Sequence, residues 1–498
     1  MGVVTVRGTL RRAAAAVAPR GTTPDDGTRE VRDRDPAPGL PGRTARGGTR
    51  GPVAVRVRTA TTLLALTAAL PVSAALTGAA ALIGAVRRRR SGPSTSDPAG
   101  TGAPSPPPDR RTIMISGGKM TKALALARAF HRAGHRVVLV EQHRYRFSGH
   151  RFSRAVDAFH VVPAPDAPDY ATRLAAVARA EGVDVYVPVC SPLASWYDAD
   201  AARVLEPFCE VVHPDADVVA MLDDKQRFTA TAASMGLSVP AAHRITDPRQ
   251  VIDFDFPPGR SWIMKSIAYD PVRRMDLTRL PRPTPVETAA FVRDLPISPD
   301  NPWILQEFVE GTEYCTHSTV RDGRVRLHCC CPSSSFQLTY TMVDHPVIED
   351  WVRRFCGEHG VTGQLSFDFI EDAAGRVYAI ECNPRTHSAI TMFYDHPGVA
   401  AAYLEGGHGT VLPTPRSRPT YWLHHELGRL LRNPGTLPDV ARTVWRGKEA
   451  LLESSDPLPF LLVPHLQITS LLLGNLRRGR DWVKIDVNIG KLVEPAGD

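Results

Sequence analysis

No Cys-x-x-Cys pair and no zinc-like spacing occurs among the eight cysteines, which excludes a zinc ribbon and a paired-thiol redox centre. Such thiols fit a reducing, cytosolic setting. Cys329, Cys330 and Cys331 form a run; in a strand they would point to alternate faces as small apolar residues do. No internal repeat is found. Beyond Arg111 there is no cluster of Lys and Arg, although the chain's formal charge is +8. The first 111 residues hold 18 Arg and 7 acidic residues, about +11, which leaves about −3 for the rest. Nucleic-acid surfaces need basic residues gathered on a folded face, so no nucleic-acid partner is expected.

Charge is missing altogether from residues 59–86, a 28-residue run closed by Arg87, Arg88, Arg89 and Arg90. A bilayer needs about 20 apolar residues, and the run is read as a transmembrane anchor. The four arginines favour a cytoplasmic C-terminal side, opposed by Arg50, Arg56 and Arg58 and with Pro71 near the middle. No small-residue cleavage site stands out, so the anchor is read as uncleaved. The part that follows the anchor is then cytoplasmic, held at the inner face of the membrane. Residues 1–58 lack an apolar period and read as a disordered basic tail; residues 87–110 read as a linker.

From Arg111 onward strands alternate with helices. Residues 112–116 form a strand and 119–133 a helix with Met120, Ala123, Ala127 and Phe130 on its apolar face. Further strands at 136–141, 184–189 and 210–213 imply a parallel sheet with helical crossovers. A small α/β domain is expected over 111–215, followed by an α+β domain over 216–405 and a helical region over 406–498. In the last, residues 459–476 are rich in Leu but interrupted by Pro464, His465 and Gln467. They read as a helix packed on the preceding domain, with a membrane-surface contact as the alternative.

Neither a Gly-x-Gly-x-x-Gly nor a Walker loop is present. Ser116-Gly117-Gly118 either cradles a phosphate at a helix N-terminus or makes a tight strand-to-helix turn. What is present lies further on. Asp223-Asp224-Lys225 opens a helix ending near Gly236. Lys265 is the one charge in an apolar strand over 262–266. Residues 303–313 run from an apolar strand through Gln306-Glu307 into a glycine turn. Two apolar strands then flank Asp372-Ala-Ala-Gly375, a hairpin signature. Centred on Ala374 and Gly375, that hairpin sets Asp368 opposite Glu381, with Cβ atoms about 4.5–5.5 Å apart. Period-two alternation puts Asn383 on the same face. Like charges directly opposite destabilise a sheet unless a cation neutralises them, so this set predicts oxygen-ligated magnesium.

Lys225, Lys265, the 306–313 segment and the Asp368/Glu381/Asn383/Arg385 set resemble the ATP-grasp superfamily over residues 111–405. The resemblance implies that Lys225 and Lys265 hold nucleotide phosphates. It implies that Gln306, Glu307 and the backbone near Val309 meet the adenine, and that Glu313 meets the ribose. Asp368, Glu381 and Asn383 would bridge two Mg²⁺ ions (Mn²⁺ in their place) to ATP, and Arg385 would steady a phosphorylated intermediate. His317, Ser318, His387 and Arg274, the last in a lid-like segment over 266–300, are candidates for the acceptor pocket.

Longer strings carry a narrower likeness. Ser116-Gly-Gly-Lys-Met-Thr-Lys-Ala-Leu124, Tyr186-Val-Pro-Val-Cys-Ser-Pro192 and Ile380-Glu-Cys-Asn-Pro-Arg-Thr-His-Ser-Ala-Ile-Thr-Met-Phe-Tyr394 are among them, as is Trp482-Val-Lys-Ile-Asp-Val-Asn-Ile-Gly-Lys-Leu-Val-Glu494. They resemble the mycosporine-glycine synthases, ligases that join glycine to 4-deoxygadusol. The basic segment before residue 59 departs from that pattern. A ligase joining an ordinary carboxylate to an amine, or a membrane-tethered nucleotide-binding scaffold without catalysis, would share much of the same machinery.

Overall fold

The computed structural model describes residues 51–90, 109–189, 194–268, 270, 273, 276–333, 339–406, 409–486 and 491–493. The tail over 1–50, most of the linker (91–108) and Arg274 lie outside the described residues. The apolar run lies within one helix, α1 (Pro52–Arg90), which begins seven residues before the predicted 59 and continues through the four arginines. A proline just after the cap suits a helix start because its missing N–H has no partner there anyway. Val55, Thr59, Ser73, Thr77, Ala80 and Gly84 form its buried stripe.

The N-terminal α/β layer comprises β1 (Thr112–Ile115), α2 (Thr121–Arg132), β2 (Arg136–Gln142), β3 (Ala158–Val162), α3 (Tyr170–Glu181), β4 (Val185–Val187), α4 (Ala194–Leu205) and β5 (Glu210–Val211). Its sheet is parallel throughout with order β3-β2-β1-β4-β5. Near-continuous apolar strands such as Val137–Val140 are buried because helices cover both faces. Between β1 and α2, Gly117 has φ +70°, and a Cβ there would fall 2.1 Å from the Val189 carbonyl oxygen. Three amides of this loop are already used: Gly118 N–H donates to Val140 O (3.3 Å), Met120 N–H to Gly117 O (2.9 Å) and Lys119 N–H to Glu141 Oε2 (2.9 Å). Of the two readings of Ser116-Gly117-Gly118, the structure gives the tight turn.

Helices α5 (Ala216–Asp223) and α6 (Lys225–Ser234) lead into β6 (Ala242–Ile245), α7 (Arg249–Ile252), β7 (Trp262–Ser266), α8 (Pro285–Arg293) and β8 (Trp303–Glu307). The strands form an antiparallel sheet, β6-β8-β7, with a core of Trp262, Met264, Val292, Trp303 and Leu305 behind it. A second antiparallel sheet, of order β10-β9-β12-β13, is built from β9 (Thr312–Arg321), β10 (Arg324–Pro332), β12 (Gly363–Glu371) and β13 (Val377–Asn383). Between β10 and β12 lie β11 (Thr339–Tyr340) and α9 (Pro346–Glu358). Phe228, Trp351, Phe355, Phe367 and Phe369 fill the space behind this sheet, Trp351 and Phe355 being stacked at 5.3 Å. In β10, Cys329 and Cys331 join one core cluster and Cys330 the other, the alternation a strand imposes.

The C-terminal region adds α10 (Val399–Leu404), β14 (Thr420–Tyr421), α11 (Leu423–Arg432), α12 (Leu437–Arg446), β15 (Lys448–Glu449), α13 (Leu458–Leu462) and α14 (Thr469–Arg478), then strands β16 (Val483–Asp486) and β17 (Lys491–Val493). A π-helical turn over Val463–Ile468 joins α13 to α14 and accommodates Pro464. The Leu-rich segment is thus one continuous helix, Leu458–Arg478, of 21 residues. That is longer than its sequence suggested and reaches spanning length, yet Phe460 and Val463 pack into the main core.

Candidate active site

Asp224 caps α6 by accepting the N–H groups of Gln226 (3.0 Å) and Arg227 (3.1 Å). This fixes Lys225 at the first helical position, where the helix dipole disfavours a cation unless an anion stands opposite. Glu381 does so, with Lys225 Nζ 3.7 Å from its Oε2. Lys265, on β7, joins the same locus. Burial, opposed by Glu381 and reinforced by Lys225, lowers its ammonium from the ordinary value.

Across the hairpin Asp368 pairs directly with Glu381, and Ser366 with Asn383. The ladder is not regular. Phe369 pairs with Ala379, so Ile380 is an extra residue in β13, and this bulge turns both Ile380 and Glu381 toward the open side. Asn383 Nδ2 donates to Asp368 Oδ2 (3.4 Å) and Glu381 Oε1 (3.3 Å), while its Oδ1 accepts from Arg385 Nη2. Burial and the Glu381 charge raise the Asp368 carboxyl well above its ordinary value. Burial works the same way on Glu381, but Lys225, Asp368, Lys265 and Asn383 outweigh it and hold that carboxyl down.

One cleft of about 1540 Å³ collects Lys225, Lys265, Gln306, Glu307, Val309, Glu313, Asp368, Glu381, Asn383 and Arg385. Its two ends differ. Toward β8 it is closed by Ile263, Ile370, Ile380, Phe308 and Val309, with the Gln306 side chain buried and its Nε2 lacking any partner. Toward β13 it holds three cationic side chains around two carboxylates. A flat apolar base with one unmet hydrogen bond fits the first end, and a polyphosphate fits the second. Among the described residues no group of three or more His, Cys, Asp or Glu side chains converges. A cation beside Asp368 and Glu381 would complete its shell from an amide oxygen, phosphate and water, as magnesium does. Asn383 would have to turn its Oδ1 inward, an amide flip.

The other predicted residues are elsewhere. His317 is fully buried in β9; its Nδ1 accepts the His387 N–H (3.3 Å) and its Nε2 has no partner. Burial first, then His387, Lys122 and His328, push its imidazole far below the ordinary value. Ser318 points to the opposite side of the sheet, its Oγ 2.9 Å from His328 Nδ1. His387 caps a short helical turn through Ala389 N–H (3.3 Å) and packs against Tyr340. None of the three lines the cleft.

Sequence reasoning missed a second compartment of about 1250 Å³, which shares Lys225, Asn383 and Arg385 with the first. Trp196 and Tyr197 of α4 line it and remain 44% and 38% exposed. Asp223 lines it too; burial, countered by Arg385 and Lys225, pushes its carboxyl up to about 6. It also missed Ile263 and Ile370, which period-two alternation from Lys265 and Asp368 would have found.

No family model matches the chain, and no curated protein matches it in sequence. Similar solved structures include N5-carboxyaminoimidazole synthetase from Staphylococcus aureus complexed with ADP, at 13% identity and TM-score 0.48 over 62% of this chain and 80% of that one. A biotin carboxylase–β-γ-ATP complex from Campylobacter jejuni is similar at 14% identity and TM-score 0.47, over 60% and 72% of the two chains. An L-amino acid ligase from Bacillus licheniformis is similar at 15% identity and TM-score 0.44, over 57% and 69%.

Proposed function

We propose that this chain is an ATP-dependent ligase of the ATP-grasp type, and that the cleft between β7–β8 and β12–β13 binds MgATP. The observation that carries this reading is the Asp368–Glu381 pair, set against Lys225, Lys265 and Arg385 at one end of a cleft whose other end is apolar. Gln306 would meet the base, and Lys225 and Lys265 the phosphates. Asp368, Glu381 and Asn383 would hold Mg²⁺, which neutralises charge on the transferred phosphoryl group.

In the reaction the acceptor's oxygen attacks the γ-phosphorus of ATP and ADP leaves. An amine then adds to the carbon bearing the new phosphate ester, loses a proton, and expels inorganic phosphate as the C–O bond breaks. The protein contributes position and charge: three cations around an anionic transfer, with little covalent chemistry of its own. Arg385 borders both compartments and is the side chain suited to steady the phosphorylated acceptor.

For the acceptor, we favour a ring whose enol is conjugated to a ketone, a carboxylic acid lengthened by one double bond. Two aromatic side chains, Trp196 and Tyr197, line the compartment that Arg385 borders and support a planar ring over a small aliphatic acid. With the string resemblance this points to 4-deoxygadusol and glycine as substrates. Incubation with MgATP tests it: a new ultraviolet chromophore with one ADP per product supports the reading. ADP formed only with simple carboxylic acids reduces it to an ordinary carboxylate–amine ligase. No ADP with any acceptor would favour a non-catalytic scaffold.

A further inference from the structure

Helix α1 has one face fastened to the protein and one face left bare. On the fastened side, Trp482 Nε1 donates to Thr59 Oγ1 (2.9 Å) and Arg58 Nη1 donates to Trp482 O (2.7 Å). Arg58 also pairs with Asp481 at 3.4 Å. Leu63 and Leu66 pack on a cluster of Tyr145, Leu471, Leu472 and Trp482. Farther along, Ser73 Oγ lies 3.3 Å from His424 Nε2, and at Gly84 a Cβ would fall 2.0 Å from the Ser454 carbonyl oxygen. The bare side is mainly apolar: Leu64, Val72 and Leu82 are 68%, 59% and 66% exposed. Soluble monomers rarely present a continuous apolar surface of that length.

Contacts from Thr59 to Gly84 extend about 37 Å along the helix axis, more than the roughly 30 Å hydrocarbon core. A spanning α1 would have to draw His424, which meets Ser73 near the middle of the helix, into hydrocarbon or give up that contact. Length and composition allow the transmembrane anchor read from the sequence, but contacts along so much of one face point elsewhere. We propose instead that α1 lies in the plane of an anionic lipid leaflet, its bare face sunk to the acyl boundary and its other face carrying the catalytic body.

Charge selects lipid over a second copy of the chain. Arg56 lies before the apolar face and Arg88, Arg89 and Arg90 after it, and residues 51–90 contain no acidic residue. Two copies meeting through this face, parallel or antiparallel, would set arginines against arginines. Anionic headgroups flanking acyl chains match the pattern at both ends, and each cation near such a surface strengthens binding about fivefold.

Full-length protein should co-sediment with phosphatidylcholine vesicles containing phosphatidylglycerol, and lose binding when that lipid is omitted or salt is raised. The double variant Leu64→Glu/Leu82→Glu, both positions exposed, should melt at the same temperature yet bind at least about tenfold more weakly. Depth separates lying from spanning. The seven cysteines among the described residues are buried, so a fluorophore can be directed to Val57→Cys, Val72→Cys or Val86→Cys and read with quenchers fixed at known depths. Equal shallow depths support the proposal. A label at position 72 about 20 Å deeper than one at position 57 overturns it in favour of a span. A stable dimer without vesicle binding, or a monomer that ignores vesicles, overturns it as well.

Discussion

Asp368 and Glu381 face each other across the β12–β13 hairpin because β13 carries one extra residue, Ile380. The turn itself is centred on Ala374, and a regular ladder from it would pair Asp368 with Ile380 instead. The bulge restores the carboxylate pair and brings Ile380 to the same side as Glu381, as an apolar wall of the cleft.

Replacing one carboxylate should separate function from stability. Asp368→Asn is expected to cut ADP formation on the order of 10³-fold, the charge-stabilising role of a metal ligand being worth several kcal/mol. Without ligand the same variant should be no less stable, and up to about 1 kcal/mol more stable, because opposed like charges destabilise a strand pair. A coupled ADP assay and urea unfolding read both quantities. Normal turnover would remove the ligand assignment.

Lys225→Met and Lys265→Met should each weaken MgATP binding by about ten- to a hundredfold, the range for a charge-assisted hydrogen bond. Lys265 is also desolvated, so Lys265→Met should raise apo stability. Titration calorimetry and thermal melts check the pair of effects.

Gln306 has a buried, unpartnered Nε2. Leaving such a group unsatisfied costs about 1–3 kcal/mol, so Gln306→Leu should stabilise the apo protein while raising KM for ATP. A loss of stability would mean that the amide bonds within the protein rather than waiting for a ligand.

Ser318 and His328 belong to the fold. Ser318→Ala should cost about 1–2 kcal/mol of stability and leave KM for ATP unchanged. Burial lowers the His328 imidazole from 6.5 to about 4. The unfolded chain therefore binds this proton while the native state does not, and stability is full above pH 6.5 and falls as pH drops from there toward 4. The loss from this residue approaches about 3 kcal/mol. Urea unfolding across that window should steepen with acid in the parent and less so in His328→Gln.

The hairpin was legible in the sequence because it is local, but its register was not: the turn is centred on Ala374 rather than between Ala374 and Gly375, and the bulge at Ile380, which no turn signal announces, restores the Asp368–Glu381 pair. Lys225 was legible for a similar reason, since Asp224 is a helix cap that the sequence announces. His317 and Ser318 illustrate the limit of ordered motifs, because neighbouring residues on a strand cannot both face one cleft. Trp196 and Tyr197 reach the site from α4, across the chain, and nothing local marks them. The contacts of the 59–86 run with Trp482 and His424 were not legible, because composition alone does not reveal partners so distant in the chain.

In the proposed reaction an acceptor oxygen is phosphorylated and then displaced by an amine. Turnover with acceptor carrying ¹⁸O at the reacting oxygen, followed by mass analysis of the released phosphate, tests it directly. One ¹⁸O is expected in each inorganic phosphate, formed only when acceptor and amine are both present. Unlabelled phosphate accompanying product would contradict it, since the acceptor's oxygen would then never have reached phosphorus.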